Sequence, residues 1–280
     1  MTVLTISQAL SAAHALGLDR LDAQLLLLHA LRKSDTDRAW LMAHDQDLLD
    51  GKAADDFSAF SLRRAAGEPL AYIVGYKEFF GLRFSVDARV LVPRPDTETL
   101  VQWALDVLKN GAAPDVLDLG TGSGAVAIAI AHSLKCKVSA SDFSQEALSV
   151  ATQNARQLGV DVQFIHSHWL EKVSGHYHAI ASNPPYIANA DLHLAALVHE
   201  PLSALTAGAD GLSDIRQIIQ LAPKRLHPGG WLLLEHGYDQ VDAVCELLVQ
   251  SGFTQVQSRF DLAGIARCTG GRWDNQQIDF

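Results

Sequence analysis

The stretch ASNPPYIAN, residues 181 to 189, places a carboxamide, Asn183, before two prolines and a tyrosine. Proline fixes its own φ and pushes the residue before it into an extended conformation, so Pro184 and Pro185 hold both the backbone and the side-chain direction of Asn183. An amide held in this way can accept a hydrogen bond from a planar nitrogen, in a carboxamide or an adenine, whose delocalised lone pair makes it a poor nucleophile. The Pro184 carbonyl offers a second acceptor, and Tyr186 a ring to stack on the flat face of the target.

A second constellation lies upstream. Residues 116–119 read as a strand that enters GTGSG, Gly120 to Gly124, and then an apolar helical stretch. Glycines there permit a tight turn and close backbone approach to a ligand, and the helix start offers unpaired N–H groups. About 20 residues on, the next strand ends at Asp142, where a carboxylate can take both hydroxyls of a ribose. Strand, glycine turn and acid together indicate an adenosine-containing cofactor. The turn is not the GxGxxG of dinucleotide sites. Asp118 and Asp142 near it disfavour a pyrophosphate and suit a ligand with ammonium and sulfonium centres, which is S-adenosylmethionine. Asn183 then sits beside a methyl donor, because both motifs fall at carboxyl ends of parallel strands.

The elements that must position these residues follow from periodicity. Residues 1–75 read as a small helical bundle, with Ile6, Ala9, Leu10, Ala13 and Leu16 on one face, then Leu25, Leu28 and Leu31, then Phe57, Phe60 and Leu62. Thr5, Asp19 and Asp37 are placed to cap helices, and Gly17 and Gly67 to end them. Residues 76–95 form a linker, with YKEFFGLRFSV read as a hairpin turning at Gly81. From 96 to 280 helices alternate with strands, which predicts a Rossmann-like α/β domain with a mostly parallel sheet. The last two strand-like runs, FTQVQSRF and GIARCTG, are close enough to form an antiparallel edge hairpin.

Composition narrows the function further. The chain has 280 residues, 48% hydrophobic and 19% charged, with a formal net charge of -10. That balance argues against clamping bare nucleic acid, since phosphate binding relies on clustered Lys and Arg. No membrane span or secretory leader is expected, and the reading is a cytoplasmic monomer. Cys136, Cys245 and Cys268 show neither disulfide nor zinc spacing. His166 with His168, and His176 with His178, have alternating spacing but no nearby Cys or clear carboxylate partner, so no metal is expected. Ser123 lacks a nucleophile elbow, which excludes a hydrolase. Glu235 and His236 are read as capping or packing residues, and Arg267 and Arg272 as supports of the edge hairpin or contacts to a partner protein.

GTGSG, Asp142, NPPY and LVPRPDTE at 91–98 together resemble the HemK/PrmC family, methyltransferases that modify the glutamine of the GGQ motif in class I peptide-chain release factors. The resemblance runs through DAQLLLLHAL, GEPLAYIVGYKEFFGLRFSV, EPLSALTAGADGL, LEHGYDQ and DLAGIARCTGGR. It implies a class I S-adenosylmethionine-dependent fold, with a seven-stranded sheet behind an N-terminal substrate-recognition bundle. It implies that Gly120, Thr121, Gly122, Ser123 and Gly124 meet the methionine and ribose portion, that Asp142 meets the ribose, and that Phe143, His168 and Trp169 meet the adenine. Asn183, Pro184, Pro185 and Tyr186 would meet the target glutamine, with Asn183 also beside the cofactor. Phe79, Phe80 and PRPDTE would close the pocket, with Glu98 near the cofactor's amino group. His168 departs from the family, whose members commonly carry an acid there. A ribosomal-protein glutamine, or adenine N6 in nucleic acid, is the alternative substrate for the same motif, and a catalytically idle adaptor the alternative class.

Overall fold

The computed structural model describes residues 4–109 and 114–274. The chain divides into two compact units, Met1–Tyr76 and Lys77–Phe280.

Among the described residues the first unit contains five helices: α1 Ile6–Ala15, α2 Arg20–Ala30, α3 Arg38–Ala43, α4 Gly51–Ala65 and α5 Leu70–Val74. Thr5 caps α1 in a reciprocal box with Gln8, and Asp19 and Asp50 accept from backbone N–H groups in the first turns of α2 and α4. Asp37 departs from expectation. It makes no side-chain cap, and its carboxylate instead accepts from the Ser34 N–H in the preceding turn. The core gathers Ile6, Ala9, Leu26, Leu27, Leu28, Leu41 and Phe57. Two residues expected on the apolar faces are exposed. Leu16 follows the last residue of α1, where the chain turns through Gly17 at φ 89°. Leu62 lies one position beyond a buried stripe at Ala53, Phe57 and Ser61, and the helical advance of about 100° per residue carries it to the surface.

A hairpin follows at the boundary, β1 Tyr76–Phe79 and β2 Leu82–Ser85. Its two turn residues, Phe80 and Gly81, both have positive φ, 51° and 73°, as a two-residue turn matching the strand twist requires. There follow α6 Glu98–Leu108, β3 Asp115–Leu119, α7 Ala125–Leu134, β4 Lys137–Asp142, α8 Gln145–Leu158, β5 Gln163–His166 and β6 Tyr177–Ser182. After these come α9 Ser213–Leu221, β7 Leu226–Glu235, α10 Val241–Gln250, β8 Thr254–Phe260 and β9 Ala266–Trp273. The seven strands of the main sheet run in the order β5-β4-β3-β6-β7-β9-β8, with the first five parallel and the last two joined antiparallel.

Strand alternation builds two apolar layers from one sheet. Val116, Ala179, Ala181 and Leu233 face one way, into a core with α6, α7 and α8. Their neighbours Leu117, Leu119, Ile180, Leu232 and Leu234 face the other, toward α9 and α10. The chain leaves β3 toward β4 and β5, then returns to the opposite side of β3 as β6, so the strand order reverses between β3 and β6. Ligands of open α/β sheets bind at such a reversal, beyond the carboxyl ends of the strands. Among the described residues no helix is long and apolar enough to cross a membrane.

Candidate active site

A cavity of about 450 Å³ opens at that reversal, within the range of small-molecule sites. Its walls include Gly120, Gly122, Asp142, Phe143, His168 and Trp169, together with Asn183 and Pro185 from the NPPY corner. Four sequence segments are thus brought together by the ends of β3, β4, β5 and β6.

The glycine turn is shaped by its backbone. Gly120, Gly122 and Gly124 have φ of 69°, 55° and 82°. A Cβ on Gly120 would lie 3.2 Å from the Trp169 ring, and one on Gly124 2.9 Å from Ile128, so two of the three glycines also serve close packing. Asp142 is buried, and its two oxygens accept from the Gly122 N–H at 2.9 Å and the Ser144 N–H at 2.8 Å. These bonds aim the carboxylate while each oxygen keeps further acceptor capacity. Burial raises the Asp142 pKa, against the lowering effect of the backbone N–H groups.

Thr121, Ser123 and Gly124 stand outside the cavity lining, each for a different reason. The Thr121 hydroxyl donates to Asp118 at 2.6 Å, the Ser123 carbonyl accepts from Asn154 at 2.9 Å, and Gly124 is the N-cap of α7. Asp118, read from sequence as lying near the turn, also stands outside the cavity lining. Its Oδ2 takes both the Thr121 hydroxyl and the Ala127 N–H at 3.2 Å, so it caps α7, whose own N-cap residue has no side chain. Glu98, expected near the cofactor, accepts instead from the Phe80 N–H at 2.9 Å and ties the hairpin turn to α6.

Trp169 has a left-handed backbone, φ 42°, unusual for a bulky residue, and its indole N–H donates to Asp214 at 3.1 Å. The ring is thereby fixed as a flat wall of the cavity. Asp214, at the start of α9, also lines the cavity, and no local sequence pattern marks it. The His168 imidazole stands edge-on to Trp169 and 3.5 Å from the Glu171 carboxylate.

The NPPY corner is held from behind. The Asn183 Nδ2 donates to the Thr97 hydroxyl at 3.2 Å. The Tyr186 carbonyl accepts from Gln240 at 3.0 Å, and the Tyr186 hydroxyl reaches Glu235 at 3.4 Å. Pro184 and Tyr186 lie outside the cavity lining, unlike Asn183 and Pro185. Glu235 and His236, read from sequence as packing residues, are both fully enclosed. Burial raises Glu235 to about 7 and lowers the His236 pKa. The segment 91–97 is braced by acids and bases distant in sequence. Glu200, buried, accepts from the Val92 N–H at 3.1 Å and pairs with Arg94, and Arg267 pairs with Asp96 at 3.1 Å. Arg267 therefore supports the site from the edge hairpin, while Arg272 pairs with Asp274 at 3.1 Å.

Asn154 of α8 links the hairpin to the glycine turn. Its Oδ1 accepts from the Ser85 N–H at 2.8 Å, and its Nδ2 donates to the carbonyls of Ser85, at 3.0 Å, and Ser123, at 2.9 Å. Ser85 is only half-buried and can turn to water, whereas Ser123 is enclosed. Asn154→Leu is expected to lower unfolding stability by about 2 kcal/mol, mainly through the stranded Ser123 carbonyl. Urea denaturation checks this, and a loss below about 0.5 kcal/mol, the scale of an ordinary surface change, would contradict it.

The metal reading ends differently from the spacing that prompted it. His166 Nε2 lies 2.8 Å from the Phe143 carbonyl, engaged with the loop that leads out of β4. His178 meets Asp115 and His227, whose potential ligand atoms all fall within 4.8 Å of one another. This group lies at the amino ends of β3, β6 and β7, the opposite edge of the sheet from the cavity. There the Asp115 N–H donates to His178 Nδ1, and Lys137 stands 3.7 Å from the Asp115 carboxylate.

Comparison with known proteins places these features in context. Residues 4–75 match the model of the PrmC N-terminal domain, and residues 97–209 match that of the methyltransferase small domain. The chain is 47% identical over 260 residues to the release factor glutamine methyltransferase of Bordetella pertussis, covering 91% of this chain and 95% of that one. It is 48% identical over 266 residues to the enzyme of the same name from Burkholderia pseudomallei, covering 91% and 92%. A methyltransferase from Pyrococcus furiosus superposes with a TM-score of 0.53 at 19% identity, over 77% of this chain and 98% of that one, a likeness of fold alone.

Proposed function

The chain belongs to the release factor glutamine methyltransferase family, and from that premise we propose that it methylates the side-chain amide nitrogen of the GGQ glutamine in class I peptide-chain release factors, using S-adenosylmethionine. The observation that carries the reading is the Asn183 amide: its nitrogen is bonded to Thr97, which leaves its oxygen for the cavity.

The residues present fit the cofactor. A buried Asp142 suits ribose hydroxyls, Trp169 and Phe143 suit a planar base, and the Gly120 approach to Trp169 leaves no room for a side chain in the turn. When bound, S-adenosylmethionine supplies an electrophilic methyl group on a sulfonium centre. The chain's own part is to hold the nucleophile. Asn183 Oδ1 and the Pro184 carbonyl accept the two N–H hydrogens of the glutamine amide, which orients its nitrogen and favours the pyramidal form needed for attack. With the cofactor bound, transfer would form a nitrogen–carbon bond at the expense of the carbon–sulfur bond, and the amide proton would leave to solvent. No strong base is required, because the nitrogen becomes acidic only on alkylation. Tyr186 stays a neutral phenol, since burial and then Glu235 raise its pKa. The first unit is assigned to gripping the release factor away from the glutamine, and the enzyme to the cytoplasm as a monomer.

The test is mass spectrometry of a purified release factor after incubation with the enzyme and isotopically labelled S-adenosylmethionine. One labelled methyl on the wild-type factor, and none when the GGQ glutamine is alanine, is the expected result. A label that survives the alanine change, or appears only on ribosomal protein or adenine substrates, overturns the proposal. In the same assay, the chain lacking residues 1–75 should show a raised KM for the factor with cofactor affinity retained; equal losses would remove the gripping role.

A further inference from the structure

Behind the NPPY corner lies a buried carboxyl that the methyl transfer proposed above does not use. Glu235, the last residue of β7, is 1% exposed, and its Oε2 finds no hydrogen-bond partner among the described residues. The Tyr186 hydroxyl donates to its Oε1, and the Thr97 hydroxyl lies against the same carboxyl. Thr97 is itself buried and accepts from Asn183 Nδ2. A chain of polar contacts thus runs from Asn183 through Thr97 to Glu235, across residues that come from three separate elements.

The chain has a direction. A threonine hydroxyl carries one hydrogen, and a carboxyl, ionised or neutral, keeps an oxygen that can only accept. With that hydrogen directed at Glu235, the Thr97 oxygen presents a lone pair to Asn183. The carboxamide must then turn its NH₂ toward Thr97 and its oxygen away, into the cavity. The flipped amide has nearly the same shape but would direct N–H groups at the N–H groups of the target, where both sides donate. Asp96, the neighbour of Thr97, is pinned by Arg267, which also pairs with Asp261 at 2.9 Å, so the segment carrying the hydroxyl is anchored to the loop between β8 and β9.

We infer that Thr97 and Glu235 are positioning residues that set the polarity of the Asn183 amide, so that its oxygen faces the nitrogen to be methylated. The inference rests on the reading of Asn183 as acceptor for the target amide, and the experiment separates the two. Single-turnover methyl transfer to the release factor, with cofactor affinity by titration, is measured for wild type, Thr97→Val, Thr97→Ser, Glu235→Leu and Asn183→Ala. Thr97→Val is expected to slow transfer at least about tenfold, the scale of one misdirected hydrogen bond, with cofactor affinity within about twofold. Thr97→Ser keeps the hydroxyl and should return the rate to within about threefold of wild type, while Glu235→Leu acts in the direction of the valine change. An unslowed Thr97→Val beside an inactive Asn183→Ala overturns the inference and leaves the reading of Asn183 standing. A fully active Asn183→Ala removes that reading and the inference with it. Losses of rate matched by equal losses of cofactor affinity show a general structural role and also overturn it. Should the valine variant not fold, Thr97→Ala against Thr97→Ser makes the same comparison, with equal rates the overturning result.

Discussion

Asn183→Ala is expected to slow methyl transfer by roughly a hundredfold to a thousandfold, the loss seen when one preorganised partner of a reacting group is removed, while changing S-adenosylmethionine affinity little. The size follows from what the side chain does. A carboxamide nitrogen is planar in the ground state and must pyramidalise to attack, so an acceptor aligned with the emerging geometry acts more strongly on the transition state than on the bound substrate. Alanine deletes that acceptor but leaves Pro184 and Pro185, which set the backbone, in place. It also leaves Asp142, Trp169 and Phe143, which form the other side of the cavity. The expected signature is therefore a fall in kcat with an almost unchanged cofactor dissociation constant. A variant that keeps kcat within about threefold would show that the target nitrogen is held elsewhere.

The features legible from sequence are those whose cause is local. Pro184 and Pro185 restrict Asn183 whatever the rest of the chain does, and the φ of Gly120, Gly122 and Gly124 are ones that other residues adopt at a cost. Alternating helix and strand patterns carry the parallel sheet, and FTQVQSRF with GIARCTG the antiparallel β8–β9 pair, because apolar periodicity is written into each segment separately. What escaped reading is set by contacts across the sequence. Thr97 meets Asn183 from 86 residues away, Asn154 meets Ser85 from 69, and Asp214 meets Trp169 from 45. No window of sequence contains both partners. Asp118 is a different case, since the direction of its side chain follows from the strand itself. On β3 it shares a face with Val116, which packs toward α7, whereas Leu117 and Leu119 face the opposite layer. The two-residue period of a strand thus directs its carboxylate beneath the helix rather than into the crevice.

That placement gives Asp118 its own expected pH signature. The carboxyl is 2% exposed, with a hydroxyl and one backbone N–H as donors, and with Asp142 nearby as a like charge. Burial, the dominant effect, raises it from 3.8 to about 7, against the lowering influence of Thr121 and Ala127. A group whose folded pKa exceeds its unfolded value stabilises the fold fully below the unfolded pKa and loses that contribution as pH rises through the folded pKa. Between pH 3.8 and about 7 the folded state holds a proton that the unfolded chain releases, so stability declines across this window and levels off above it. A change of that size corresponds to about 4 kcal/mol at most. Asp118→Asn cannot ionise, yet its amide oxygen can take the place of Oδ2, the single atom that accepts both bonds. The difference in unfolding free energy between variant and wild type, measured by urea denaturation from about pH 4 to pH 8, cancels the titration of carboxyls that do not interact with Asp118, Glu235 among them. The expected result is a difference that moves steadily in favour of the asparagine variant as pH rises, then becomes flat near the folded pKa. A difference independent of pH would mean that Asp118 titrates alike in both states. A difference moving the other way would mean that the N-terminus of α7 holds the carboxylate in its charged form, and that the helix outweighs burial.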